Sequence, residues 1–598
     1  MSHHSLVALG PATQGGAGAH CALPAGNGSA EPGDAITIAD SLDQWYHGLQ
    51  GRWTGGISPL SWWRAWSDWC SHLANSPFRS SELVIEAGSR WLELMVAAVD
   101  PDSRLTPERG DQRFQHPAWG RFPYSLMVQD FLQAQRWMNH ATRTMPGVAP
   151  ENARMVRFSV RQWLDCLSPS NLPFANPEIL ERTLESGGQN LVAGLEHLLQ
   201  DAFAGQAAPA PEAEGFSPGR ELAITPGKVI FRNTLLELIQ YSPSTPEVHA
   251  EPILIVPAWI MKYYILDLSP ENSLIRYLVG QGFTVFCISW RNPNAEMAET
   301  GFDDYRREGV MAALDVVTQV TGASRVHGCG YCLGGTLLTV AAATMARDGD
   351  ERLASLTLLA SQTDFSEAGE LRLFITEGQL SVLEATMTCS GYLEGHQMGA
   401  AFQMLRSRDL IWSRLVRRYW LGEEEHSSDL MAWNADATRM PARMHTEYLR
   451  SMFQRNDLAE GRFIVEGRPV TVSDIHAPLF VVGTETDHVS PWRSVYKIHL
   501  LNPGEITFLL TSGGHNVGIV SEPGHPRRHF RIDRRTPGAV YRGPEQWCHT
   551  AAEHEGSWWP AWTAWLAERA GPLGPPPPIG CRTRKPLADA PGTYVLER

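Results

Sequence analysis

Cys332 occupies a position at which a side chain can act as a nucleophile. An apolar segment beginning at Val326 precedes it, the mainly apolar run from Leu337 to Ala346 follows it, and the turn between them reads Gly330-Tyr331-Cys332-Leu333-Gly334. This is the pattern of a nucleophile elbow, in which a sharp turn joins a strand to a helix. The flanking glycines let strand and helix pass close together, and the helix N-terminus favours a thiolate over a thiol.

A five-residue pattern such as this elbow can also occur by chance, and a free cysteine is often an inert, buried, small apolar residue. Two polar segments further along the chain favour the catalytic interpretation. Asp487 follows the apolar run Pro478 to Val482, and His515 follows the apolar run Ile506 to Leu510. In elbow folds the chain order is nucleophile, acid, histidine, and the site lies at the carboxyl edge of a parallel sheet. The sequence therefore predicts a catalytic triad of Cys332, Asp487 and His515.

Two backbone positions are candidates for binding an oxyanion. In elbow enzymes the amide after the nucleophile supplies one donor, and the loop after an earlier strand supplies the other. Ile253 to Val256 is a short apolar run of the kind expected for a buried strand. We therefore expect the Leu333 amide, together with the amide of Trp259 or Ile260, to face the oxyanion.

The elements that must position these residues begin at about Phe216, where short apolar segments start to alternate with helical ones. This alternation is typical of a parallel sheet covered by helices. Ser269 and Pro270, for example, are predicted to open a helix that runs through Val279. The alternation stops between Asp364 and about Ser473, where such folds carry a cap over the site.

The predicted architecture is an α/β-hydrolase fold with a cap insertion, preceded by a mostly helical N-terminal domain. We expect a disordered N-terminus and a linker rich in alanine and proline between the two domains. The predicted boundaries are 1–38 for the disordered stretch, 39–204 for the helical domain, 205–215 for the linker, 216–570 for the catalytic domain with its cap at about 366–473, and 571–598 for a C-terminal tail.

Composition excludes several classes of protein. The chain has 598 residues, 43% hydrophobic and 19% charged, as expected for folded domains, and its net charge of −15 argues against a general nucleic-acid partner. Its nine scattered cysteines form no disulfide framework and indicate a reducing compartment. We find neither a secretion signal nor an apolar run of membrane-spanning length. The sequence predicts a cytoplasmic protein without a transmembrane segment.

From about Ser58 to the C-terminus the chain resembles the polyhydroxyalkanoate synthases, and within them the type that acts on short-chain substrates with a single kind of subunit. The resemblance rests on many motifs in order. They are Thr225-Pro226-Gly227-Lys228-Val229, Glu237-Leu238-Ile239-Gln240-Tyr241, Trp259 with Lys262-Tyr263-Tyr264-Ile265-Leu266-Asp267-Leu268, Ser289-Trp290-Arg291-Asn292-Pro293, Asp303-Asp304-Tyr305, the elbow, Trp433-Asn434 with Asp436-Ala437-Thr438, and Gly556-Ser557-Trp558-Trp559-Pro560. Two departures stand out: Ala258 and Met261 replace the proline and asparagine usual in the loop, and Cys329 is unusual.

The resemblance implies a polymerising acyltransferase. It would join (R)-3-hydroxyacyl-CoA units into a polyester and release CoA, through an acyl group held on Cys332. Asp487 would either orient His515 or act as the base for the attacking hydroxyl. Tyr331, Trp433 and His488 are candidates for lining the pocket. We also expect a homodimer located on polyester granules in the cytoplasm, with the granule surface and granule-associated proteins as partners.

Three alternatives are open at this point. The Cys329–Cys332 pair could bind a metal or undergo redox chemistry, but zinc needs two further ligands and the chain has no second C-x-x-C pair. We therefore expect no metal and no cofactor, the CoA thioester being the substrate. A cysteine-type thioesterase or polyester depolymerase could use the same fold. An inactive granule-binding structural protein could also retain it.

Overall fold

The computed structural model describes residues 58–598 apart from 109–110, 208–214 and 425–427, and also Asp43, Tyr46 and His47. The stretch 1–38, which we expect to be disordered, and most of the expected linker lie outside the described residues. Within the described residues, no helix is both long and apolar enough to cross a membrane.

The chain divides into two compact units. One combines Met1–Pro211 with Gly399–His426, and the other combines Glu212–Met398 with Ser427–Arg598. The stretch that we expect to form a cap is therefore shared between the units, because its middle clusters with the N-terminal helices.

The described part of the first unit is helical, as its sequence pattern predicts. Proline occupies the first turn of several of these helices, where its missing N–H costs nothing. The helices before the linker are α1 (Pro59–Ala74), α2 (Pro77–Val99), α3 (Tyr124–Ala141), α4 (Pro150–Cys166), α5 (Pro177–Glu185) and α6 (Gln189–Ala207).

The second unit is built on an eleven-stranded mixed sheet in the order β14-β13-β12-β11-β6-β5-β3-β4-β2-β1-β15. The strands are β1 (Gly227–Arg232), β2 (Leu236–Tyr241), β3 (Ile253–Val256), β4 (Val285–Trp290), β5 (Val326–Tyr331), β6 (Leu353–Leu359), β7 (Tyr392–Leu393), β8 (Met440–Pro441), β9 (Phe463–Val465), β10 (Arg468–Val470), β11 (Leu479–Thr484), β12 (Ile506–Thr511), β13 (His529–Arg535), β14 (Ala552–Glu555) and β15 (Ala588–Asp589). The pairs β7–β8 and β9–β10 form separate small sheets.

Six central strands, from β4 to β12, run parallel and are buried along their whole length. Burial on both faces explains why they read in the sequence as nearly continuous apolar runs rather than as alternating ones. Antiparallel strands complete the sheet on both sides. The predicted alternation of strands and helices is confirmed.

Helices cover both faces of the sheet and also form the inserted segment. They are α7 (Leu274–Gly280), α8 (Ala312–Thr321), α9 (Leu333–Asp348), α10 (Glu377–Ser390), α11 (Gly395–Leu405), α12 (Asp429–Ala435), α13 (Ala442–Tyr448), α14 (Trp492–Tyr496), α15 (Ile498–Leu501), α16 (Pro544–Thr550) and α17 (Trp559–Ala567). The prediction for the start of α7 is wrong by four residues. The Ser273 hydroxyl, not Ser269, caps this helix by accepting the Arg276 N–H at 2.9 Å.

A tryptophan cluster on and just before α17 is buried against the sheet rather than exposed. The Trp562 indole donates to the Thr357 hydroxyl on β6 at 3.0 Å, and the indoles of Trp558 and Trp559 donate to the carbonyls of Gly518 and Ile519. These bonds join α17 both to the sheet and to the loop that follows β12.

We expect Trp562→Phe to lower the free energy of unfolding by about 1–3 kcal/mol, because it removes packed volume and leaves the Thr357 hydroxyl unpaired. A urea titration followed by circular dichroism measures the change. Trp63→Phe is the matched control, since the Trp63 side chain is 66% exposed. Equal effects of the two substitutions would contradict this role of α17.

Candidate active site

The backbone at Cys332 has the strained geometry of a nucleophile elbow. Cys332 lies between β5 and α9. Its backbone angles, φ 53° and ψ −124°, fall in a region that residues other than glycine seldom occupy. Its neighbours permit this because they lack side chains. A methyl group on Gly330 would lie 2.3 Å from the Gly335 Cα, and one on Gly334 would lie 2.2 Å from the Val256 carbonyl oxygen.

Hydrogen bonds from β6 and the residues after it fix the turn. The Cys332 N–H donates to the Leu359 carbonyl at 2.9 Å, and the Ser361 hydroxyl donates to the Cys332 carbonyl at 2.9 Å. Sequence reasoning missed Ser361, although it is a polar residue just past a strand end, the same signal that identified Asp487. These bonds hold the backbone of Cys332 in its strained conformation.

The structure brings together the three residues of the predicted triad. His515 Nδ1 lies 2.8 Å from Asp487 Oδ2, and Cys332 lies close enough to His515 to raise its pKa. Because Nδ1 faces the carboxylate, Nε2 is the nitrogen that remains for the sulfur. The side chain of Asp487 is fully buried, whereas that of His515 keeps 13% exposure.

Asp487 is held as a carboxylate. One oxygen accepts the N–H groups of Val489 and Ser490, each at 2.8 Å, and the other also accepts the Thr484 hydroxyl at 2.9 Å. Burial raises the pKa of Asp487, but His515 and these donors outweigh burial, so the pKa lies below its ordinary value. Thr484 is a second residue that sequence reasoning missed.

His515 is held as an imidazolium. Burial lowers the pKa of His515, but the charge of Asp487 and the neighbouring Cys332 raise it further, so the pKa lies well above its ordinary value. A positive charge beside a cysteine favours the thiolate over the thiol, and the thiolate is the reactive form of a cysteine nucleophile.

Tyr331 links the elbow to the histidine loop. Its hydroxyl donates to Asn516 Oδ1 at 2.7 Å, and its ring centroid lies 5.6 Å from that of His515. The sequence identifies Tyr331 as a pocket candidate. In the structure Tyr331 is buried, its ring contacts His515, and its hydroxyl is hydrogen-bonded to Asn516, the residue after His515.

The predicted oxyanion donors lie on both sides of the elbow. Leu333 is the first residue of α9, where a helix offers its N–H no acceptor. Trp259 and Ile260 belong to the loop after β3, and the close approach of Gly334 to the Val256 and Pro257 carbonyls brings the start of this loop against α9. Their role as oxyanion donors stays a prediction.

The remaining predicted residues occupy different environments. Trp433 is buried, and its indole donates to the Lys262 carbonyl at 2.8 Å, whereas His488 is exposed beside Asp487. Cys329 is a buried residue of β5 within the core, and Cys329 and Cys332 are both free thiols.

Comparison with known proteins defines the class. Residues 251–522 match the family described as "alpha/beta hydrolase fold". The sheet and this match show that the chain has an α/β-hydrolase fold, with Cys332 at the turn of the elbow. Two further matches cover residues before and at the start of this region, "Poly-beta-hydroxybutyrate polymerase N terminal" at 37–79 and "Poly-beta-hydroxybutyrate polymerase (PhaC) N-terminus" at 110–278.

Relatives extend the match to nearly the whole chain. A poly(3-hydroxyalkanoate) polymerase of Methylorubrum extorquens is 39% identical over 579 residues, which is 96% of this chain and 93% of the relative. The polymerase subunits PhaC of Rhizobium meliloti and Cupriavidus necator are 38% and 37% identical, over 85% and 84% of this chain and 83% and 86% of their own. The chain belongs to the poly(3-hydroxyalkanoate) polymerase family, and the resemblance and the predicted fold are confirmed.

We expect Asp487→Asn to shift the reactivity of Cys332 to higher pH. The negative charge of Asp487 raises the pKa of His515, so its loss lowers that pKa and leaves less imidazolium near neutral pH to stabilise the thiolate. Each unit by which the pKa of His515 falls lowers the ratio of the thiolate–imidazolium pair to the thiol–imidazole pair about tenfold. The measurement is the rate of iodoacetamide alkylation at Cys332 against pH, read from the Cys332 peptide by mass spectrometry.

The matched control is Glu485→Gln, because Glu485 forms an exposed pair with His529 at 3.3 Å nearby. This substitution should leave the profile unchanged. A profile that is the same for Asp487→Asn and the parent protein would show that Asp487 does not set the protonation of His515.

Proposed function

We propose that this protein is a polymerising acyltransferase that joins (R)-3-hydroxyacyl-CoA units into polyhydroxyalkanoate and releases CoA. The observation that carries the proposal is the position of Cys332 at the elbow, beside a His515 that is hydrogen-bonded to Asp487, in a chain that matches poly(3-hydroxyalkanoate) polymerases over almost its full length.

In the first half-reaction the Cys332 thiolate attacks the thioester carbonyl of the bound hydroxyacyl-CoA. The amides of Leu333 and of Trp259 or Ile260 hold the resulting oxyanion, a contribution of about 3–4 kcal/mol per donor in comparable sites. The carbon–sulfur bond to CoA then breaks, and the His515 imidazolium gives its proton to the departing CoA thiolate. The acyl group is now a thioester of Cys332.

The second half-reaction restores the starting state. His515, now neutral, accepts the proton of a hydroxyl group from a second acyl unit as that oxygen attacks the acyl carbon on Cys332. The new ester bond forms, the bond to the Cys332 sulfur breaks, and the site returns to thiolate and imidazolium. Because one thioester replaces another at nearly equal energy, the acyl enzyme keeps the free energy needed to make an ester.

Asp487 orients His515 and stabilises its charged form in this scheme. Three further hydrogen bonds and a lowered pKa support that role over proton abstraction by Asp487 itself. Each step balances its protons and electrons with protein side chains and CoA, so the proposal includes no redox cofactor or metal. The homodimer and the association with granules stay predictions.

Purified protein should release thiol from (R)-3-hydroxybutyryl-CoA while the solution becomes turbid with polymer. Cys332→Ala should abolish both signals, because it removes the thiol at the elbow that would carry the acyl group. Thiol release is measured with a disulfide reagent, and turbidity is followed in the same cuvette.

Cys329→Ala is the matched control, since Cys329 is a core residue three positions away and should tolerate a small apolar replacement. Thiol release in clear solution would identify a thioesterase instead. Absence of release with short and longer acyl chains would favour a binding protein, and polymer formation by Cys332→Ala would contradict the mechanism.

A further inference from the structure

The loop 257–262 carries the predicted second oxyanion donor. Hydrogen bonds that its carbonyl groups accept hold this loop in place. The Trp290 indole donates to the Pro257 carbonyl at 2.8 Å, and the Thr438 hydroxyl donates to the Trp259 carbonyl at 2.6 Å. At the end of the loop the Trp433 indole donates to the Lys262 carbonyl. These three bonds fix the backbone of the loop from neighbouring segments.

A fourth anchor is the side chain of Lys262, which is buried with 3% exposure. Its ammonium donates to the carbonyl of Glu597 at 2.6 Å and to that of Tyr594 at 3.4 Å. Burial lowers the pKa of Lys262, and the charges of Asp436 and Glu597 oppose that effect. A buried cation is costly unless it is paired, so these two carbonyls hold Lys262 and the loop in one position.

The segment that supplies these carbonyls is itself firmly anchored. The carboxylate of Glu237, fully buried on β2, accepts the N–H groups of Thr593 and Tyr594 at 2.8 and 3.0 Å. The Tyr594 hydroxyl donates to the Asn233 carbonyl at 2.7 Å.

An ion pair anchors the end of the same segment. Arg291 pairs with the Glu597 carboxylate at 3.2 Å. Arg291 directly follows β4, the strand that neighbours β3. The segment is thus attached to β2 and to the residue that follows β4, and β4 is the neighbour of β3, from which the loop emerges.

We propose that residues 592–598 are a positioning element of the active site, which holds the loop 257–262 through Lys262 so that the amide of Trp259 or Ile260 faces the acyl oxygen. The proposal rests on the proposed acyl-transfer function. It assigns a role in the chemistry to the segment that the sequence marks only as a C-terminal tail.

The physical reason is the geometry that an oxyanion donor requires. A donor must lie about 2.7–3.1 Å from the developing oxyanion, and a displacement of about 1 Å can cost roughly 100-fold in rate. The triad does not depend on the loop in this way, because His515 and Asp487 come from other strand ends. Loss of the Lys262 anchor should therefore slow acylation and leave the thiolate of Cys332 intact.

The test compares two rates at Cys332. One is the burst of CoA release from (R)-3-hydroxybutyryl-CoA in rapid mixing, which needs the oxyanion donors. The other is alkylation by iodoacetamide, which needs only the thiolate. Lys262→Met keeps the apolar stem and removes the ammonium, and Lys262→Arg keeps a cation. Lys228→Met is the matched control, because Lys228 also contacts the C-terminal tail, but at Asp589 and not within residues 592–598.

Gly592→Ala disturbs the segment without touching the loop. Gly592 has φ 83°, and a methyl group there would lie 2.2 Å from the Glu237 carboxylate. If circular dichroism shows that Lys262→Met does not fold, the two rates are compared in Gly592→Ala instead.

We expect Lys262→Met and Gly592→Ala to lower the rate of the CoA burst by roughly 10- to 100-fold. The substrate concentration that half-saturates the burst and the rate of alkylation by iodoacetamide should both stay within about twofold of the parent values. Lys262→Arg should recover part of the rate, and Lys228→Met should match the parent. A parental burst rate in the folded variants would overturn the proposal, as would an equal fall in burst and alkylation.

The parent protein separates this inference from the proposed function. A burst in the parent supports acyl transfer, and the ratio between variants then tests the positioning role. If the parent releases no CoA, the proposed function fails, and the same ratio is measured with p-nitrophenyl acetate, whose attack by Cys332 needs the same amides.

Discussion

The close approach of α9 to the ends of β3 and β5 is the constraint on which the rest of the site depends. Cys332 can adopt its left-handed backbone only because strand and helix nearly touch at Gly330 and Gly334. The same approach brings the start of α9 against the loop after β3, so the nucleophile and both predicted oxyanion donors derive from one packing arrangement. A side chain at either glycine would separate them.

The ionisable groups of the site follow one another from the protein interior towards the turn. Asp487 is buried and satisfied by four donors, His515 lies between the carboxylate and the sulfur, and Cys332 lies at the turn. Because the carboxylate is already paired, it stabilises a charged imidazole rather than taking its proton. The buried carboxylate of Asp487 thus sets the protonation state of His515, the group beside the sulfur.

Much of this could be predicted from the sequence, because the signals are local. The central strands are continuous apolar runs, and the triad residues directly follow strand ends, so Cys332, Asp487 and His515 could be predicted without any coordinates. The start of α7 was harder, since Ser269 with Pro270 and Ser273 are all plausible starts and only packing selects the last. Ser361, Asn516 and Lys262 carry no local signal for their partners, which are 29, 185 and 335 positions away.

The burial of Glu237 has a consequence for how the protein is made. This carboxylate sits in the core on β2, and the backbone groups of Thr593 and Tyr594 that satisfy it lie 356 and 357 positions downstream. Arg232 on β1 pairs with the same carboxylate, so its charge is compensated before those groups exist. A buried acceptor that lacks part of its hydrogen bonds still costs free energy. β2 therefore gains its full stability in the sheet only after the ribosome has added residues 593 and 594.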